Sequence, residues 1–462
     1  SSQNGFFDAL NGCYIKMKNR SIYGENLTMT YSEVLAQLWK DRDKGTPAYE
    51  LKRFQYDGDS AKAAITAIYA GLFNTIAQAN MIINNIDGHS SVFKSPAVKA
   101  IVTGEAYAIR AYCQLDVLRM FGEVPVNPAK TVSLPYAEAV SPSDLPQYYS
   151  YDAYVQKLEA DLLKAEELLR DNDPIFRYTF AQLGSLSGTD LEDDFLLNRQ
   201  YKLNYWAVKA LQARFYLYIG NTAKAHTIAR SIIDAKGADG SALMALSGLI
   251  DMPALNLSLS NECLFMLDAY DVYDYSKEIL AVGNEQIVTS KNYVMEKPQL
   301  DKLFEGDDIA NNNRYKNLWN TTLTDMVGKV YAALAKYHFE RKNTEAGKKN
   351  TSSTIPMLRM SEMYLIAIET TTDLTEANTL WKAYKASENI LIGSDAFTSF
   401  AEVKSAILKA YRSEFFGEGQ MFYTYKRNKS AEILWNTNTG PVTDDNYVVP
   451  LPSTEFDPSN IK

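Results

Sequence analysis

Histidine is scarce in this chain, three residues in 462. His89, His226 and His338 stand far apart, and none has a partner at metal-ligand spacing, so neither a zinc hydrolase nor a histidine-based triad has a visible framework. Cysteine is as rare: Cys13, Cys113 and Cys263. An odd number of widely spaced thiols makes neither a disulfide framework nor a zinc set, and Cys113, among apolar residues, reads as a buried thiol. No run of about 18 apolar residues occurs, which leaves no encoded membrane-spanning helix. The phosphate-binding glycine loop, the dinucleotide fingerprint, HExxH and GxSxG are all missing; GSLSG at Gly184 puts Leu186 where a nucleophile belongs. Basic clusters are missing too, and a net charge of -9 argues against a nucleic-acid binder, which needs a basic face to neutralise phosphates. The opening SSQNGFF has neither the charged nor the apolar segment of a secretion signal and reads as a trimmed or mature end.

What the chain does have is helical periodicity. Ile101, Ala108, Tyr112 and Leu115 share one face of a helix predicted over residues 97–121, stopped at Gly122 with Pro125 beyond. Val155, Leu158, Leu162 and Leu169 make a second stripe, and Ala207, Ala210, Leu211, Arg214 and Tyr218 a third. A fourth follows at Ala225, Ile228, Ala229, Ile232 and Ile233. Further stripes are predicted over residues 357–369 and 403–416. Ala213, Tyr216, Gly220 and Ala225 have the spacing of a tetratricopeptide-like hairpin, in which small residues let two antiparallel helices close. A degraded copy runs from Leu365 through Ala377 to Trp381 and Tyr384. Asn261–Leu267 (NECLFML), a brief apolar run between polar residues, is predicted to be a strand.

Between the stripes lie long polar segments rich in rings. The chain has 31 tyrosines, 19 phenylalanines and 5 tryptophans. Rings in loops can offer an apolar face to a ligand while the hydroxyl or indole N–H stays wet, which suits a sugar's C–H face and its rim of hydroxyls. The stretch DAYDVYDYS, Asp268–Ser276, concentrates this pattern. Read as extended chain, it sets Tyr273 and Tyr275 on one side with Asp271 between them and Tyr270 pointing away. The expected ligand-binding set is Tyr270, Asp271, Tyr273 and Tyr275, with Trp39, Tyr56 or Trp319 opposite. Calcium at Asp268, Asp271 and Asp274 matches no known loop spacing. Acid pairs such as Asp193/Asp194 and Asp307/Asp308 are too common among 56 acidic residues to single out a glycosidase. No metal, cofactor or catalytic residue is assigned.

In order along the chain, YAGLFNTIAQANMIINNI (69–86), GEAYAIRAYCQLDVLRMFGEVPV (104–126), YWAVKALQARFYLYIGNTAKA (205–225), IPMLRMSEMYLIAIE, YRSEFFGEGQMFYTYKR and YVVPLPSTEF resemble the SusD/RagB family of outer-membrane nutrient-binding lipoproteins from Bacteroidetes. The likeness runs from about Ala61 to Phe456. Met421 and Thr424 depart from the family pattern, ETTTDL replaces an alanine-rich turn, and the anchoring cysteine is not present. The resemblance implies a single, mainly α-helical domain over residues 1–462. Its tetratricopeptide-like scaffold would lie mainly in 61–126, 152–170, 204–236 and 355–430. A loop-rich ligand face would be built from 38–60, 128–150, 237–320 and 435–462. It also implies no enzymatic activity, a SusC-like TonB-dependent transporter as partner, an oligosaccharide ligand, and a place on the outer-membrane surface through an N-terminal lipid anchor. A peptide- or protein-binding, RagB-like member or a helical-repeat scaffold is the alternative. Glu105, Arg110, Arg214, Arg359 and Arg427, all in motif blocks, read as polar groups that pack helices.

Overall fold

The computed structural model describes residues 2–139, 145–252, 256–283, 286–338, 340–342, 349–351 and 353–452. It is 51% helical. The end of the last motif block, residues 453–456, lies outside the described residues. The helices Gln3–Met17, Asp59–Ile86, Pro96–Phe121, Tyr151–Leu169, Tyr205–Tyr218, Thr222–Ile233, Met360–Thr370 and Leu374–Ser387 form a layered array with one continuous apolar core. Their boundaries follow local chemistry. Ser95 caps Pro96–Phe121, its Oγ accepting from the Val98 N–H with proline in the first turn, and the chain leaves the helix at Gly122.

The repeat hairpin forms as its spacing predicts. The backbone turns at Gly220 with φ of +85°, a left-handed conformation that glycine adopts without strain, and Asn221 caps the next helix by accepting from the Lys224 N–H. The degraded copy also forms a helix pair, with Asp373 capping Leu374–Ser387 where ETTTDL ends. One boundary differs. Thr354–Arg359 is a strand, and the helix starts at Met360 rather than three residues earlier. Cys263–Asp268, the core of NECLFML, is the strand that pairs antiparallel with it.

Charges inside the helical array are matched to carboxylates. Arg199, with no exposed surface, holds Glu105 at 2.8 Å and Asp173 at 2.9 Å. Arg214 forks onto Glu362 and the Met357 carbonyl, Arg110 onto Asp161 and Asn80, Arg359 onto Glu418 and Arg427 onto Glu369. These pairs tie each helix to a neighbour or to the loop beside it, as expected of motif residues that pack helices. Breaking such a buried pair by removing one partner costs about 3–5 kcal/mol.

Candidate ligand-binding face

Two sequence-distant stretches meet on one side of the helical array. The first, residues 18–53, contains the short helices Tyr31–Leu35 and Pro47–Lys52. The second, residues 268–334, contains the helix Val272–Leu280, the strand Met295–Glu296 and a hairpin of Trp319–Thr324 with Val330–Leu334. They are stitched together by the Lys40 N–H, which donates to the Val294 carbonyl at 2.8 Å. The hairpin turn is rigid, because Asp325 Oδ1 accepts from the Val327 and Lys329 N–H groups and Gly328 takes a positive φ.

A row of tyrosines runs along this seam, each with a cation against its ring. Lys18 Nζ lies 5.7 Å from the Tyr270 ring centre, Arg20 4.6 Å from Tyr275, Arg42 4.3 Å from Tyr293, and Lys40 and Lys329 5.5 and 5.8 Å from Tyr331. The first stretch supplies most of the cations and the second the rings. Within the first stretch, Arg53 stacks on Tyr49 at 3.5 Å and grips Asp41 with two hydrogen bonds, which hold the Asp41 carboxyl below its usual range. Burial raises the phenols of Tyr275 and Tyr293 well above their ordinary value, so they are neutral hydroxyls at any physiological pH.

Beneath the row lies an aromatic floor. Trp39 packs edge-on against Phe416 at 4.7 Å and Trp319 at 6.4 Å, and Trp319 against Phe416 at 5.0 Å. Lys52 closes one side, its Nζ donating to the Trp39 carbonyl at 2.6 Å, with burial lowering its pKa to about 8.

This placement corrects several expectations of exposure. Trp39 and Trp319 do come together, but they are 1% and 5% exposed and support the face from below, with the Trp39 indole N–H donating to the Met29 carbonyl. Tyr56 is also buried, its hydroxyl bonded to the Asn446 carbonyl. The stretch Asp268–Ser276 is not extended. It leaves the strand at Asp268 and enters a helix at Val272. Residues two apart on a helix lie about 200° around it, so Tyr273 and Tyr275 face apart. Tyr275 points inward, donating to the Gly24 carbonyl at 2.6 Å, and half-buried Tyr273 stacks on His338 at 4.1 Å. Val272, Tyr275, Ser276, Ile279 and Leu280 are the buried residues, and their i, i+3, i+4, i+7, i+8 spacing was the helical signal in the sequence. Tyr270 is open, 77% exposed, and Asp271 is exposed beside it. Among the described residues no group of three or more His, Cys, Asp or Glu could hold a metal.

Sequence reasoning missed the cations Lys18, Arg20, Lys40, Arg42 and Lys329 and the rings Tyr293 and Tyr331. Lys40 and Arg42, two apart beside Trp39, were the local sign. Their pairing with residues some 250 positions later has no local sign at all.

A second concave feature, a cavity of about 710 Å³, follows the helix Gln3–Met17. Asn4, Asp8, Asn11 and Lys18 form one wall, and Asp194, Asn198 and Lys202 line it opposite. It reaches Asp268, where Lys18 Nζ donates to the Asp268 carbonyl at 3.1 Å.

The candidate face is thus a loop-built, ring-floored surface carried on a helical-repeat scaffold. Residues 10–187 match the SusD-like family described as starch-binding and associating with the outer membrane. SusD-like protein P2 of Formosa agariphila is 22% identical, the match covering 97% of this chain and 89% of that protein. In structure, a SusD superfamily protein of Bacteroides thetaiotaomicron superposes with a TM-score of 0.71 at 21% identity, covering 99% of this chain and 98% of that one. Surface glycan-binding protein A of the same species, solved in complex with laminarihexaose, superposes at 0.69 with 14% identity, covering 100% and 98%. The chain is similar in sequence to SusD-like proteins and shares their fold.

Proposed function

We propose that this protein captures oligosaccharides at the outer-membrane surface and delivers them to a SusC-like TonB-dependent transporter, binding the glycan without hydrolysing it. The observation that carries this reading is the row of tyrosines and cations along the seam between residues 18–53 and 268–334. The open Tyr270 ring matches a sugar's C–H surface, and the ammonium, guanidinium and carboxylate tips match its hydroxyls. Tyr270, Asp271 and Tyr273 would serve one end of the face and Lys40, Arg42 and Lys329 the other. The family description and the glycan complex of a structural neighbour support the ligand class and the cell-surface location. Among the described residues no helix is long and apolar enough to cross a membrane, and a lipid anchor is the proposed attachment.

The experiment is affinity electrophoresis against a panel of polysaccharides, followed by calorimetry with oligosaccharides of the polymer that retards the protein, with product analysis to detect cleavage. Retardation by a glycan, weakened by Tyr270→Ala and Arg42→Ala, is the expected result. Failure of every polysaccharide to bind, or release of shortened products, would overturn it. Co-purification of a TonB-dependent transporter with the tagged protein tests the partner.

A peptide-binding role is the second reading, favoured by one feature. Asn4 and Asn11 line the 710 Å³ cavity on the same helix, about 10.5 Å apart along its axis, close to three residues of extended peptide. Each amide N–H could donate to a peptide carbonyl, while Asn11 Oδ1 already accepts from Lys202 Nζ at 2.8 Å. Loss of peptide affinity in Asn11→Ala with glycan binding unchanged would assign the cavity to peptides.

A further inference from the structure

The outermost layer of the face is cationic rather than aromatic. Tyr275, Tyr293 and Tyr331 are nearly buried, so away from the open Tyr270 ring a ligand approaching the seam meets Arg20, Arg42, Lys40 and Lys329 before it meets a ring. Three neighbouring carboxylates already have their own cation: Glu25 is held by Arg20 at 2.7 Å, Asp41 by Arg53 at 2.5 Å and Glu296 by Lys329 at 2.6 Å, while Asp325 is taken up by the turn N–H groups and the Tyr331 hydroxyl. Asp43 and Lys44, both exposed, offset one another. Lys40 and Arg42 are left over. Neither forms an ion pair with a described carboxylate, and their ring contacts are to Tyr331 and Tyr293 alone. Arg42 Nε and Nη1 are shielded from water and meet no hydrogen-bond acceptor, an arrangement that costs about 1–3 kcal/mol for a buried donor and more when it is charged. Residues 40 and 42 lie two apart on a segment with no helical structure, Lys40 against Tyr331 and Arg42 against Tyr293. A chain of net charge -9 therefore keeps two cations without an ion-pair partner among the described residues, two positions apart on its candidate ligand face.

From this geometry we infer that the ligand is an anionic glycan, carrying carboxylate or sulfate groups, and that Lys40 and Arg42 bind one such group between them. The inference rests on the glycan reading above and narrows its ligand class. A uronate carboxylate or a sulfate supplies the acceptor that Arg42 Nε and Nη1 lack, in a charge-assisted bond. As the guanidinium turns toward it, the Tyr293 ring is uncovered for the sugar itself. Lysine gives a point charge and arginine a planar fork, so the pair accepts either anion.

The test compares a polyuronate, a sulfated galactan, a neutral β-glucan and starch, by affinity electrophoresis and calorimetry at low and high salt. Wild-type protein should bind at least one anionic polymer more tightly than both neutral ones, with affinity falling as salt rises. Lys40→Ala/Arg42→Ala, checked by circular dichroism to be folded, should weaken that binding by about tenfold or more, as expected for the loss of two charge-assisted contacts. Arg42→Lys should retain most of it, and Arg230→Ala, on a distant helix, should change nothing. The polyuronate and sulfated arms tell the two anions apart. Equal or preferred binding of neutral glycans, or an unaffected double variant, would overturn the inference while leaving the glycan reading standing. Binding to none of the four polymers would end both.

Discussion

The helical array and the loop-built face use arginine and lysine in opposite ways. In the array, Arg110, Arg199, Arg214 and Arg359 each fork onto a buried carboxylate, and Arg427 onto the partly buried Glu369. On the face, Lys18, Lys40 and Arg42 lie against tyrosine rings and pair with no described carboxylate. A guanidinium buried against two acids is fully committed, and its worth is in holding segments together. A guanidinium resting on a ring gains about 0.5–1 kcal/mol, little enough for a ligand to take it over. The same residue type therefore serves architecture in one region and stays available in the other.

The largest expected effect breaks the array. Arg199→Leu strands Glu105 and Asp173 in the core, and chemical denaturation should show a loss of about 3–5 kcal/mol. The matching change on the face, Arg42→Ala, should cost less than about 1 kcal/mol. Comparable losses for the two would erase the contrast.

Glu33 sharpens the comparison from a third side, because it is fully buried with no cation bonded to it. Its Oε2 accepts from the Gly417 N–H while Oε1 has no partner, and burial raises its pKa from 4.5 to about 8. Below 4.5 both folded and unfolded chains hold the proton. Between 4.5 and about 8 only the folded protein does, so folding takes up a proton and stability falls as pH rises through that window, by a few kcal/mol at most. Melting temperature measured across it should fall for wild type and stay flatter for Glu33→Gln. Parallel curves would mean that Glu33 is ionised in the folded protein.

Gly220→Val comes next. A side chain there would meet nothing within 4 Å, so the cost is backbone strain alone, about 1–2 kcal/mol, read as a melting temperature lower by a few degrees. The smallest effect on folding belongs to Tyr270→Ala at the open end of the face. Thermal melting should be unchanged while glycan affinity falls by tenfold or less, as expected from stacking worth about 1–3 kcal/mol at the upper end.

The fold was legible because helices announce themselves locally. The stripes over residues 97–121, 205–236 and 403–416 recur every three or four residues, and six motif blocks stand in order. The face was less legible for two reasons. Its hairpin strands, Trp319–Thr324 and Val330–Leu334, are short and pair across the sheet, and Met295–Glu296 joins them from a distance. Burial of a ring in a loop also depends on what folds over it. Trp39, Tyr56 and Trp319 were alternatives for the far side of the ligand face because they are rings in loops, yet nothing local says that Phe416 packs against both tryptophans and encloses them. Asp268–Ser276 misled because alternation over nine residues hid a helix whose apolar stripe ends at Leu280.

The bond from Lys40 to Val294 also sets an order of events. A helix hairpin such as Tyr205–Ile233 closes between neighbours and can form while the chain is still being made. The face waits, since its cations leave the ribosome some 250 residues before its rings, and closure over such separations is slow. A refolding chain should recover its helical signal early and its grip on ligand late. In that interval it is a scaffold that cannot yet hold anything, so capture begins only when folding is complete.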